Sequence, residues 1–313
     1  MRPTDKKAVS TAFALVAVII ILAAAISIPL IFLNYKDIRI LERKEVPYQE
    51  GIDNATISIL ATRGNLNVSF EKLDGPMVIL QAILLGKAGF FGNTDPLNLT
   101  LNHSVENRTL VVNGTIDTYG PWPYYTLSRT NYNLIIDSSL RSRVNVSMTT
   151  GGIKFNASSG VVLEGVRLEA TSGGVKMNLT NASLNGDIHV KTATGGTNLT
   201  WNNLNVLKDV RMELKESSGP ITMDILQSNY IQGNVTIDAR ATAGLLTFNL
   251  SLGGNTSAIV KSKSSLGAVK IMDKTGFSGT TDILQSINYP STHSFNATMN
   301  TTVGGIDISA RYQ

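Results

Sequence analysis

The stretch TSGGVKMNLTNASLNGDIHVKTATGG, residues 171–196, decides how the chain reads. It opens on a Ser-Gly-Gly corner, alternates apolar and polar through Val175, Met177 and Leu179, and turns at Asn185-Gly186. It alternates again through Asp187 to Lys191 and returns to a Thr-Gly-Gly corner 22 residues after the first. Strict alternation is the signature of a strand with one buried face. Glycine suits the corners because it accepts positive φ and lets neighbouring backbones approach. The same phrase recurs on both sides, so this is one coil of a repeating β structure.

Working outward, corners fall at Gly151-Gly152, Gly173-Gly174 and Gly195-Gly196, and weaker ones at Gly219, Gly244 and Gly267, with a last at Gly304-Gly305. Most spacings are 22 to 25 residues, a period that signals stacked repeats. The final gap is longer and carries an insertion around 286–293. Regular repeats are expected over 143–313 and an irregular β region over 51–142. In the latter, Arg63-Gly64 forms a corner, 77–85 reads as a strand buried on both faces, and 109–117 is interrupted by the turn signal Asn113-Gly114. No segment after Leu33 shows sustained helical periodicity.

Residues 1–8 are short and basic, and 9–33 are almost uninterruptedly apolar. As a helix, 9–33 would be about 37 Å long, enough to cross a hydrocarbon core of about 30 Å. The run is too long for the core of a cleavable signal peptide. The expectation is a cytoplasmic 1–8, a transmembrane signal-anchor helix over 9–33, a juxtamembrane stalk over 34–50 and a β-repeat ectodomain over 51–313. Basic residues on the two sides of the span nearly tie, with Arg2, Lys6 and Lys7 before it and Lys36, Arg39, Arg43 and Lys44 after it. The asparagine pattern below places the C-terminal domain outside.

There are 27 asparagines, and sixteen begin an Asn-X-Ser/Thr triplet, against about five expected by chance. They are Asn54, Asn67, Asn98, Asn102, Asn107, Asn113, Asn145 and Asn156, followed by Asn178, Asn181, Asn198, Asn234, Asn249, Asn255, Asn296 and Asn300. Several fall on the polar phase of a strand: Asn178 lies between Met177 and Leu179, Asn249 between Phe248 and Leu250. Period-two geometry points such side chains away from the core, where a glycan can be carried. An N-glycosylated outer face is expected.

Composition removes other classes. The net charge is +4 with no Lys/Arg run and few aromatics, so no nucleic-acid partner is expected. The absence of cysteine removes disulfides, thiolate metal sites and cysteine nucleophiles. Three histidines, His103, His189 and His293, are widely separated, a poor start for a metal or catalytic triad. Asp187, Asp209, Asp224, Asp238, Asp282 and Asp307 recur in successive units. A carboxylate column could bind Ca²⁺ or serve acid/base chemistry, but like charges stacked at strand spacing repel, which favours individually solvated positions. Trp122, Tyr124 and Tyr125 on a Pro-rich loop could stack a sugar, or cap the end of the core. No cofactor is expected, and no phosphate-loop or nucleophile-elbow phrase occurs.

The corner phrase Ser/Thr-Gly-Gly-Val/Ile-X-apolar, preceded by YNLIIDSSLRSRVNVSMTTGG (132–152), resembles the putative adhesin, or toastrack-like, families of β-solenoid domains. The resemblance covers roughly 52–312 and is best from Tyr132 onward. It implies a non-catalytic envelope or adhesion role and supplies no catalytic residues. The expected protein is thus a single-pass cell-membrane glycoprotein, with an extracellular adhesin-like domain that meets envelope glycans or other surface proteins. The rival readings are an anchored polysaccharide-active β-helix enzyme and the ectodomain of an envelope sensor.

Overall fold

The structure, a computed structural model, describes residues 16–23, 36–88, 96–118, 125–254 and 256–312. Residues 16–23 are helical. No described helix is long and apolar enough to cross a membrane; the rest of 9–33, like 1–8, lies outside the described residues. The expected single-pass anchor does not hold. With it fall the fold class of helix plus ectodomain, the membrane as a partner through 9–33, the single-pass cell-membrane localisation and the anchored form of all three functional readings. Lys36–Pro47, where a stalk is expected, is a strand. Its half-buried positions include Ile38, Ile40 and Glu42, a period of two that the density of charge obscures.

Described residues beyond 35 are predominantly β. The chain forms two compact units, one of Met1–Ile40, Leu84–Pro96 and Tyr119–Arg129, the other of Leu41–Ile83, Leu97–Thr118 and Thr130–Gln313. The repeating coils lie in the second. A coil is two strands meeting at a glycine, and we name each by that glycine. The Gly173 coil runs along Val162–Ser172, turns, and continues along Val175–Thr180. The strand before the corner joins one sheet and the strand after it joins another. Both pair in parallel with the coils on either side. Gly64, Gly151, Gly195, Gly219, Gly244, Gly267 and Gly304 head equivalent coils.

Alternation builds the core. Val175, Met177 and Leu179 turn inward and are buried, while Lys176 is exposed and Asn178 and Thr180 are half-buried on the outer face. Val166, Leu168 and Ala170 are the buried set of the other strand. Each fully buried side chain of this size contributes about 1.5–3 kcal/mol. Repeated over stacked coils, this offsets chain ordering without a disulfide.

The corners stack directly on one another. Gly195 has φ 148°, and its N–H donates to the Ser218 carbonyl at 3.1 Å. A methyl group on it would sit 2.3 Å from the Gly173 carbonyl oxygen. The same close approach passes from neighbour to neighbour through Gly64, Gly151, Gly173, Gly195, Gly219, Gly244, Gly304 and Gly267. That order departs from sequence at its end. The Gly304 coil, last in the chain, lies between the Gly244 and Gly267 coils. At the other end, the strand Asn54–Arg63 of the Gly64 coil lies between Arg141–Thr150 and Thr109–Thr118. The region read as irregular therefore places one coil in register with the regular array. The long gap before the last corner also holds, ahead of the insertion expected around 286–293, an antiparallel hairpin, Phe277–Gly279 with Ile283–Ser286, whose second strand pairs with Thr256–Leu266.

One turn falls elsewhere than expected. Thr109–Thr118 is unbroken. Its antiparallel partner Leu97–Glu106 reaches it through Asn107 and Arg108, both at positive φ, 50° and 61°, as a two-residue hairpin of primed type requires. Gly114 is a packing residue instead: a methyl there would meet Ile59 Cδ1 at 2.6 Å.

Candidate functional site: a groove along the coil stack

Beyond the corner glycines Gly151, Gly173 and Gly195 the chain places a second glycine, then an inward residue, then an outward one. The outward residues align by register across the sheet as Asn133, Asn67, Lys154, Lys176, Asn198 and Thr222. Gly152, Gly174 and Gly196 leave a low floor beside this row, and Pro220 takes the equivalent place on the next rung. The result is an open groove of about 750 Å³. It crosses six consecutive rungs, so at the usual strand spacing of about 4.8 Å it runs for roughly 24 Å along the stacking direction. Its lining contains two lysines, several amides and no carboxylate. Tyr132 is buried beneath one end, and that burial pushes its phenol well above the ordinary range.

Next to this row runs an amide ladder. Asn178 Nδ2 donates to Asn156 Oδ1 at 2.9 Å, and Asn156 Nδ2 donates to Asn67 Oδ1 at 3.1 Å. Further along, Asn249 Nδ2 donates to Asp224 Oδ1 at 2.7 Å.

The outer face of the other sheet is built differently, because its charges pair with each other. Glu213 receives Lys215 at 2.7 Å and His189 Nδ1 at 3.2 Å. The Lys215 hydrogen bond is the main reason that its carboxyl stays below the usual range, with His189 adding to it against some burial. Asp238 meets Arg240 at 2.7 Å and Arg211 at 3.5 Å. Burial works to raise Glu164, but hydrogen bonds from Asn185 and Arg141 outweigh it and hold the carboxyl low.

The recurring aspartates do not form a column. Asp187 and Asp209 sit in turns, accepting the backbone N–H of Arg211 at 2.8 Å and of Asn234 at 2.7 Å. Asp238 lies on the pre-corner sheet, and Asp224 and Asp307 occupy different rows of the post-corner sheet. Asp282 belongs to the inserted hairpin. Among the described residues no group of three or more His, Asp or Glu could hold a metal ion. His189 is bound to Glu213, His293 Nε2 meets the Tyr230 hydroxyl at 2.9 Å, and His103 is exposed. Each histidine has surroundings of its own.

Of the triplet asparagines, Asn255 lies outside the described residues, and every other one is exposed or half-buried. Trp122 and Tyr124 also lie outside them. Tyr125 begins the strand Tyr125–Asp137, with a side chain outside the described set. The lysine pair has a signal in the sequence that the asparagine triplets and aspartates overshadow. GGIK at 151–154 and GGVK at 173–176 carry lysine at the same place in consecutive repeats.

No protein-family model matches the chain, and no curated protein does. Similarity is to solved structures. A putative cell adhesion protein from Clostridium sporogenes has a TM-score of 0.45 and 14% identity, covering 87% of this chain and 100% of that one. A putative adhesin from Bacteroides fragilis has a TM-score of 0.38 and 12% identity, covering 86% and 96%. A putative adhesin from Parabacteroides merdae has a TM-score of 0.27 and 12% identity, covering 86% and 95%. This is distant similarity to β-rich proteins, and it assigns no residue a role.

Proposed function

We propose that this chain is a non-catalytic, adhesin-like binding protein that holds an extended polymer along the outside of its stacked coils. The observation that carries the reading is the groove: equivalent positions of six successive rungs line it, so it is elongated along the stack and open. A compact metabolite is bound by enclosure and convergent polar groups; a long open groove with a repeating row of side chains suits a long ligand. The outward carboxylates Glu164, Glu213 and Asp238 of the opposite sheet are engaged in ion pairs, and His189 and His293 each in a hydrogen bond, which favours binding over acid/base chemistry.

The test is binding of the purified chain to immobilised neutral and acidic polysaccharides by surface plasmon resonance. At least one polymer should bind, and Asn198→Trp, which fills the groove, should abolish that binding while Lys191→Ala on the other sheet leaves it intact. Binding that is indifferent to Asn198→Trp, or no binding at all, would defeat the reading.

The triplet asparagines support a second proposal, that the outer faces carry N-linked glycans. None of those described is buried, and in the amide ladder a glycosylated Nδ2 keeps one N–H for its neighbour. Asn67 and Asn198 line the groove, where a glycan and a bound polymer exclude each other. Glycopeptide mapping of the native protein should therefore find modified triplets with Asn67 and Asn198 empty; a native mass of 33.6 kDa would end the proposal.

A further inference from the structure

Resting on the groove reading, we infer that the polymer is an acidic polysaccharide, its carboxylate or sulfate groups bound by Lys154 and Lys176. The two lysines lie directly opposite each other on adjacent rungs, about 4.8 Å apart at the backbone. Both are exposed, and among the described residues neither has an ion pair. Like charges placed opposite each other on a sheet destabilise it. On the other sheet Lys191, Lys215 and Arg240 also stand opposite one another, but a carboxylate two residues away on the same strand offsets two of them, Glu213 for Lys215 and Asp238 for Arg240. In the groove no carboxylate is present to do so. A ligand that brings its own negative charge completes the arrangement.

The neighbours of the pair define the rest of the ligand. Asn67 flanks Lys154 and Asn198 flanks Lys176 in the same row, with Thr222 beyond. Amide and hydroxyl groups both donate and accept, which matches the hydroxyls of a sugar chain. The row presents one such side chain per rung, a spacing comparable to one pyranose unit. A single-stranded nucleic acid fits poorly, because such grooves stack bases on aromatic rings and the ring here, Tyr132, is buried. An acidic peptide added as a strand would need a free sheet edge, and each of the Gly151, Gly173 and Gly195 rungs is already paired on both sides.

The experiment measures binding of polygalacturonate, chondroitin sulfate, neutral dextran, poly-glutamate and oligo(dT) to the full chain and to variants, across a salt series. The expected result is binding of polygalacturonate or chondroitin sulfate that weakens with salt and falls at least about tenfold in Lys154→Ala/Lys176→Ala. The charge-matched control Lys191→Ala/Lys263→Ala should bind as the parent does, and circular dichroism should show both variants folded. If dextran binds, is lost in Asn198→Trp and is indifferent to the lysine pair, the inference is overturned while the groove reading stands. Poly-glutamate or oligo(dT) bound as tightly as the acidic sugars would overturn the sugar assignment. If no polymer binds, both fall.

Discussion

Glu216 is 3% exposed at an inward position of Val210–Ser218. It accepts from the Ser218 N–H at 3.3 Å and the Thr197 hydroxyl at 3.5 Å, and among the described residues it has no ion pair. Burial, the largest influence, raises its carboxyl above the ordinary 4.5 despite those bonds. An acid raised in the folded state binds its proton more tightly there than in the unfolded chain. Its stabilising effect is thus full below 4.5 and lost as pH rises through the folded value. Glu216→Gln keeps the shape without the charge, so the gain in melting temperature of the variant over the parent should grow from pH 4.5 to pH 8. A pH-independent difference would refute this. Gln227, 0% exposed, is a satisfied counterpart. It accepts from the Trp201 indole at 2.8 Å and the Leu204 N–H at 3.0 Å, and donates to the Asn229 carbonyl at 2.8 Å. Its inward phase after Ile221, Met223 and Ile225 is legible in sequence. Its partners are not, because Leu204 belongs to the preceding coil.

At the scale of the element, the corner is the feature that sequence reports best, since only glycine tolerates both its φ and its crowding. These two causes separate experimentally. Gly160 has φ 88° with nothing near where a methyl would go, whereas Gly195 has φ 148° with the Gly173 carbonyl in the way. Gly160→Ala should cost about 1–2 kcal/mol, the strain of a left-handed alanine. Gly195→Ala should cost more than about 2 kcal/mol, because the added methyl also pushes two rungs apart. Chemical denaturation of the two variants compares them, and equal costs would show that rung contact contributes nothing. The hairpin at Asn107 and Arg108 was hidden for the converse reason. Asn-Gly is the stronger turn signal, but at Gly114 the side chain of Ile59 leaves no room for a Cβ, a contact between distant segments.

For the coil stack as a whole, position in sequence and position in space part company at both ends. In a repeat array built in order, removing the last coil exposes one new face and leaves the others paired. Here the last coil, His293–Val303 with Ile306–Tyr312, is an internal rung held on both sides. A chain ending at Ser291 would leave the Gly244 and Gly267 coils facing a gap. It should lose the cooperative thermal transition seen by circular dichroism, and a melting temperature within a few degrees of the full chain would contradict the interleaved order. The same interleaving places the Gly64 coil beside the Gly151 coil and so supplies Asn67 to the groove, next to Lys154.

The sequence by itself determined the local geometry: alternating strands, glycine corners 22 to 25 residues apart, and a polar outer phase that carries the Asn-X-Ser/Thr triplets. These follow from constraints acting within a few residues, namely the period-two pleat and the steric freedom of glycine. Only the tertiary structure decided which coil lies on which, that the aspartates scatter while Lys154 and Lys176 meet, and that the outward charges of one sheet pair while those of the groove do not. Register between strands is a property of neighbours that can lie tens of residues apart, and a single strand's pattern holds no record of its partner. The apolar run at 9–33 shows the same limit. Hydropathy reports a preference for leaving water, and among the described residues no helix is long and apolar enough to cross a membrane.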